Sequence, residues 1–385
     1  MQKVTNTRKI NKIKNSNTID MPLLITVLML LAIGIVMVLS ASAPSALAKY
    51  GDSYRNVKTQ GLAAFIGILL MIAMSRLPYQ LLNKYYKIIY IGSILVLFTV
   101  LIPGLGFETN GARRWIHFLG QQMQPSEITK IGLIIFYAGY FTDPKNKLDT
   151  KMGNTIIPIL ALLLPIGILL LIQNHMSAGI VISIVTIIMI LMSGCKLKNY
   201  AVLAGSGIAM LLLAFPFIKD KIMGSFRSDR IEAWLNPIEN SSDKAYQTLQ
   251  GLYAIGSGGL FGVGLGQSKQ KYLYIPEAHN DFIFAILAEE LGFVGCALIL
   301  FLFATLAIRG SIIAVNASDM FGSLIAIGIT ALITVQAVLN IAVVTNTIPN
   351  TGISLPFLSY GGTSLIILLG SIGILLNISR SAKKL

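Results

Sequence analysis

Charge is scarce in this chain. Of its 385 residues 12% are charged, with 16 Asp and Glu against 30 Lys and Arg. With 55% hydrophobic residues as well, this is the composition of a polytopic membrane protein and not of a soluble domain. Cysteine is scarcer still. Cys195 and Cys296 are the two present, which excludes a disulfide framework and any Cys/His zinc spacing. Histidine numbers three; His117 and His175 lack a partner three or four residues away and read as core or interface residues rather than metal ligands. The formal net charge of +14 does not imply nucleic acid, because the basic residues sit between apolar runs and form no stripe on a soluble face.

Long apolar runs are what the chain has in abundance. About twenty such residues cross the hydrocarbon core, and ten runs qualify, roughly 21–43, 59–76, 86–103, 126–142, 154–173, 177–194, 199–218, 281–308, 320–345 and 363–380. The expected fold is therefore all-α, a single domain over 21–385 with ten transmembrane helices behind a basic cytoplasmic tail at 1–20. The first run is long and has no small-residue cleavage site, so it reads as a retained anchor and not as a signal peptide. Placing both termini in the cytoplasm puts seventeen Lys/Arg inside, against Lys49, Arg55, Lys58, Arg113 and Arg114 in the short outer loops. The positive-inside rule selects that orientation.

The segment 219–280, between helices 7 and 8, then forms a large extracellular loop. Loops of that length are uncommon unless functional. Leu249, Leu252 and Tyr253 fall at helical spacing in it and predict a short interfacial helix. The glycines of Gly256–Gly266 make a poor nucleotide loop, with no strand before them and no Lys-Ser/Thr after. Close backbone approach to lipid or to other helices is the better reading. No internal repeat supports an inverted-repeat transporter.

Four polar clusters fall on the outer side. In Ile275-Pro276-Glu277-Ala278-His279-Asn280-Asp281-Phe282, two carboxylates and an imidazole stand where the chain re-enters an apolar helix. Ionisable groups at a membrane boundary are costly to desolvate. An N-cap role would account for Asp281, but not for Glu277 or His279. Glu289 and Glu290 lie about 12 Å further along a helix at 1.5 Å per residue, and are expected to find polar partners inside the bundle.

The second cluster is Asn110-Gly111-Ala112-Arg113-Arg114-Trp115, whose guanidinium groups suit either phosphate or lipid headgroups. In the third, Gln124-Pro125-Ser126-Glu127-Ile128-Thr129-Lys130, Lys130 shares a helix face with Glu127. That pair is either a structural ion pair or the guard of a polar cavity. The fourth runs from Pro349 to Ser364 and includes Ser359; it is polar, irregular and uncharged. Such backbone at membrane depth persists where it is buried in protein or lines a cavity, so it is expected to be a cavity wall.

These segments, NGARRWI, QPSEITK, AIGSGGLFGVGLGQSKQK, PEAHNDFIFAILAEELG and NTIPNTGISLPFLSYGGTS, resemble the signatures of the SEDS family (shape, elongation, division and sporulation), the FtsW/RodA/SpoVE proteins. They stand in the family's order from about residue 110 to 364. The resemblance implies an inverting peptidoglycan glycosyltransferase that polymerises lipid II at the outer face of the bacterial cell membrane. The acceptor GlcNAc 4-hydroxyl attacks the donor's anomeric carbon, and undecaprenyl pyrophosphate leaves.

The family's essential aspartate falls on Asp281, preceded here by Asn280 where Thr is usual. Asp281 would be the base, and Arg113, Arg114 and Lys130 the cations for the leaving group. Glu127, Glu277, His279 and Ser359 would complete the substrate-binding surroundings. No cofactor is firmly implied; a divalent ion, Mg or Mn, could bind Asp281 together with pyrophosphate oxygens. Where the family often carries Gln-Pro-Asp, this chain reads Gln173-Asn174-His175.

The segment VVTNTIPNTGISLPFLSYGGTS resembles division-type FtsW members of Gram-positive bacteria. It implies septal wall synthesis with a class B penicillin-binding protein transpeptidase and other divisome membrane proteins as partners. The alternatives are a lipid II flippase, a non-catalytic scaffold for the transpeptidase, or an elongation or sporulation paralogue of the RodA or SpoVE type.

Overall fold

The computed structural model describes residues 18–109, 112–118, 121–146, 153–194 and 245–382, with isolated residues between 198 and 237. The basic tail, most of the seventh apolar run (199–218) and much of the expected loop 219–280 lie outside the described residues. The other nine runs are helical. In chain order the helices are α1 Met21–Tyr50, α2 Arg55–Arg76, α3 Gln80–Phe98, α4 Pro125–Thr142, α5 Gly153–Gly167, α6 Met176–Met192, α7 Tyr246–Gly258, α8 Ile283–Val315, α9 Met320–Val344 and α10 Gly362–Ser381. Among the described residues six helices are long and apolar enough to cross a membrane: α1, α2, α3 with its 3-10 extension, α8, α9 and α10.

Local chemistry sets the ends. Asp20 caps α1 by accepting from the Leu23 amide at 2.9 Å, and the same carboxylate pairs with Arg309 of α8 at 2.5 Å. Asp319 caps α9 through the Gly322 amide at 2.7 Å. Asn377 of α10 bridges the α2–α3 turn, donating to the Ser75 carbonyl at 2.8 Å and accepting from the Tyr79 amide at 3.2 Å. In α5, Pro165 has no N–H for the carbonyl of Ala161 four residues back; the Tyr90 hydroxyl takes that carbonyl at 3.0 Å. A π-helical turn, Ile168–Ile172, follows.

Three expectations need correction. The protein is mainly helical but not all-α: β1 Gly106–Thr109, β2 Ala112–Phe118 and β3 Gln121–Met123 form an antiparallel sheet in the order β1-β2-β3. Its sequence signal is Asn110-Gly111 between the first two strands, a strong hairpin signature. The eighth run begins its helix at Ile283, two residues later than expected, and continues to Val315. That helix is also broken within, because Gly292 has φ 65° and ψ −164°.

The glycine-rich segment occupies this break. The amides of Phe293 and Val294 donate to the carbonyls of Gly259 and Leu260 at 2.9 and 3.1 Å, while those of Val263 and Gly264 donate to Glu289 and Glu290 at 2.9 and 3.1 Å. A Cβ on Gly262, whose φ is +79°, would stand 2.1 Å from the Glu290 carbonyl oxygen, so only glycine fits. Of the two readings of these glycines, approach to another helix is the one realised. Preceding it, α7 buries Thr248, Leu249, Gly251 and Ala254, while Tyr253 is exposed.

Candidate active site

The segment carrying Asp281 is positioned by its main chain. Phe282, not Asp281, holds the N-cap position of α8, and it makes no side-chain capping hydrogen bond. The Asp281 carbonyl accepts from Asn340 Nδ2 at 2.7 Å, and the same amide group donates to the Ile353 carbonyl at 2.6 Å. Asn340 is fully buried in α9. It fastens the Asp281 turn to the loop 349–361, and Gly352 of that loop is close enough that a Cβ there would lie 3.5 Å from Asp281 Oδ2.

His279 and Glu277 shape the outer edge. The Tyr360 amide donates to the His279 carbonyl at 2.9 Å, and the two rings meet edge to face at 5.5 Å. Burial holds the His279 imidazole below the ordinary histidine range; Glu277 opposes this and Lys49 reinforces it. Although His279 Nε2 lies 3.4 Å from a Glu277 oxygen, that carboxylate is more than half exposed, so the desolvation of the ring decides its charge. Glu277 has φ +51°, and accepts from Asn280 Nδ2 at 2.9 Å.

A second arm comes from β2 and α4. Lys130 is buried and pairs with Glu127 at 2.7 Å. Strand alternation splits the two arginines. Arg113 is exposed and stands 3.8 Å from Glu108 on the neighbouring strand, whereas Arg114 is half-buried and lies near His175. The His175 imidazole is depressed to about 3 by burial, then by Arg114 and Lys130. Gln124 approaches His175 Nε2 at 3.3 Å. His175 is buried, as a core histidine should be, but its neighbours are the proposed cations.

The uncharged loop 349–361 touches both arms. Ser177 donates to the Thr351 carbonyl at 2.5 Å, and Gln60 of α2 holds the loop's far end, donating to Ser359 O at 3.2 Å and accepting from the Gly361 amide at 3.1 Å. The Ser359 hydroxyl accepts from the Leu355 amide at 2.7 Å, so it braces the loop. A small open cleft is lined by Glu127, Gln336, Ser354, Ser359, Tyr360 and Ser364, with apolar neighbours. Asn340, Gln60 and His175 were not singled out as site residues by sequence; their one signal is a polar side chain interrupting, or ending, an apolar run.

Glu289 and Glu290 stand apart, as expected, with polar partners inside the protein. Glu290 accepts from Ser40 at 2.6 Å and pairs with Lys271 at 2.9 Å. Glu289 accepts from Ser268 Oγ at 2.5 Å and from the Lys269 amide at 2.9 Å.

Neither Asp281 nor the cations line this cleft themselves; the loop 349–361 links them, packing on the Asp281 turn and sharing the cleft with Glu127, the partner of Lys130. The family model described as cell cycle protein, FtsW/RodA/SpoVE, matches residues 21–384. Stage V sporulation protein E of Bacillus subtilis is 41% identical over 94% of this chain and 98% of its own. A probable peptidoglycan glycosyltransferase FtsW of Geobacter sulfurreducens is 39% identical over 96% and 98%. Relatives this similar come from unlike bacteria, so a Gram-positive source is not supported. Among solved structures, a chain of a peptidoglycan synthase complex that coordinates polymerization and crosslinking superposes with a TM-score of 0.75 at 27% identity, covering 94% of this chain and 98% of that one. Clusters in the family's order, a multi-pass helical fold and a match along nearly the whole length agree: the chain belongs to the FtsW/RodA/SpoVE family of cell cycle proteins.

Proposed function

We propose that this protein is a peptidoglycan glycosyltransferase that polymerises lipid II into β-1,4 glycan strands at the outer face of the bacterial cell membrane, for septal wall synthesis. One observation carries the reading: the loop 349–361 packs against the Asp281 turn on one side and forms a cleft with Glu127, the partner of Lys130, on the other. Asp281 takes the proton of the acceptor 4-hydroxyl as that oxygen attacks the anomeric carbon. Lys130 and Arg114 meet the charge gathering on the departing pyrophosphate. Glu127 orients Lys130, and His279 with Tyr360 walls the carboxylate. Arg113, on the exposed face, is left to longer-range attraction of the anionic lipid.

The reading takes ten membrane crossings with both termini inside, so that both arms face outward. Among the described residues no three His, Cys, Asp or Glu side chains gather to hold a metal ion. A Mg or Mn ion would therefore depend on Asp281 and the substrate's own phosphate oxygens, adding charge neutralisation there. A class B penicillin-binding protein transpeptidase, within a larger set of divisome membrane proteins, is the partner this reading assigns. The test is Asp281→Asn, purified with that transpeptidase and given lipid II. Glycan synthesis should fall by about 10²–10⁴-fold while complex formation persists; full polymerisation by the variant would remove Asp281 as the base.

A further inference from the structure

Gln173–His175 is a short polar, non-helical junction between the π-helical turn and α6, and Ser177 lies in the first turn of α6. The side chains and main chain of this stretch reach three neighbours. Gln173 Nε2 donates to the Leu97 carbonyl at 3.0 Å, Ser177 donates to Thr351 O at 2.5 Å, and the His175 amide reaches back to the Leu169 carbonyl at 2.7 Å. Asn174 takes φ +49° to make the bend. Backbone of this kind within an apolar bundle is tolerated where it lines a site.

His175, at its apex, is 6% exposed. Gln124 Nε2 approaches His175 Nε2 at 3.3 Å. An amide nitrogen is a donor only, so that ring nitrogen is the acceptor and the proton of the neutral imidazole sits on Nδ1. Nδ1 is buried without a hydrogen-bond partner among the described residues. A buried N–H in that state is costly, and here it is held beside Arg114 and Lys130, which both act on the ring electrostatically. Lys130 is paired with Glu127 at 2.7 Å. A neutral donor among cations fits an anion with several acceptor oxygens better than it fits a third positive group.

We propose that His175 is a substrate-binding residue whose Nδ1–H donates to a phosphate oxygen of the polyprenyl pyrophosphate, completing the anion site of Arg114 and Lys130. This rests on the reading of those two residues as the pyrophosphate cations. No proton changes hands: the imidazole stays neutral, and Gln124 fixes its tautomer.

Three variants separate this role from a merely structural one. The amide of Asn places a donor near the position of Nδ1, whereas that of Gln reaches only the position of Nε2, beside Gln124 and away from the anion. With the wild-type complex and purified lipid II, His175→Ala and His175→Gln should each raise KM about tenfold. Their kcat should change less, and His175→Asn should stay within about threefold of wild type. An unchanged KM in His175→Ala would overturn the proposal, as would recovery by Gln but not by Asn. Arg114→Ala and Lys130→Ala, measured alongside, test the underlying reading separately. If neither raises KM the cation assignment fails, and if they do while His175→Ala does not, His175 alone is excluded.

Discussion

Asp281 and the pair Glu289–Glu290 belong to one stretch of chain, yet the protein treats these carboxylates in opposite ways. The pair is buried and saturated: Ser40, Lys271 and the Ser268 amide serve Glu290, while Ser268 Oγ and the amides of Lys269 and Gln270 serve Glu289. Every one of those donors except Ser40 comes from the loop that precedes α8, so the pair ties that loop over the break at Gly292. Asp281 is half-buried and is held through its carbonyl by Asn340, with its carboxylate set against a glycine that adds no bulk. An acid meant to fasten structure is surrounded by donors. Asp281, the proposed base, is located by its backbone through Asn340.

That contrast can be broken by exchanging the readouts. Asp281→Asn should have the largest effect on activity, about 10²–10⁴-fold, yet shift the thermal midpoint by no more than about 2 °C. Glu290→Ala should do the reverse. It leaves Lys271 buried and uncompensated, costing about 3–5 kcal/mol of stability, read as a lowered thermal midpoint in detergent. The folded fraction should still polymerise. Replacing both members together, Glu290→Gln with Lys271→Met, should recover much of that loss. A wild-type midpoint in Glu290→Ala would show that the clasp is not structural.

Much of this arrangement was legible in the sequence, and the exceptions have physical causes. Apolar runs report burial directly, so nine helices lie where the runs predicted. The sheet was missed because Arg113-Arg114-Trp115 reads as a cluster until the strand's period of two is applied, and that period is what parts the two arginines. The break at Gly292 has no local signature, since one glycine in an apolar run is ordinary; it is visible only through Gly259–Gly264 packed against it. Asn340 and His175 are single polar residues whose partners lie far away in sequence, at Ile353, Gln124 and Arg114. Local pattern carries no information about such contacts. Asp281 stands out in the sequence because three ionisable residues gather at a helix start, a rare expense in a chain so poor in charge.

Smaller perturbations sharpen the contrast. Asn340→Ala removes the donor shared by the Asp281 and Ile353 carbonyls, at a cost of about 1–3 kcal/mol. By loosening the base it should lower kcat about tenfold with little change in KM. A proportional fall in folded yield, with unchanged kcat, would instead make Asn340 purely structural.

The imidazoles of the two arms extend the comparison to pH. Both are held below their unfolded range, His175 to about 3 by burial with Arg114 and Lys130, and His279 by burial against the pull of Glu277. The unfolded chain therefore binds protons first as pH falls below about 6.5, and stability is lost on acidification, not gained. For His175 the window runs from about 6.5 down to about 3, with a slope of at most about 1.4 kcal/mol per pH unit. His279 adds less, because the carboxylate beside it offsets part of the burial. Thermal midpoints of the complex between pH 7.5 and 5 should fall, and His175→Asn should flatten that decline more than His279→Asn does. The opposite ranking would place the stronger desolvation at the Asp281 arm, and the base would then sit in the drier of the two settings.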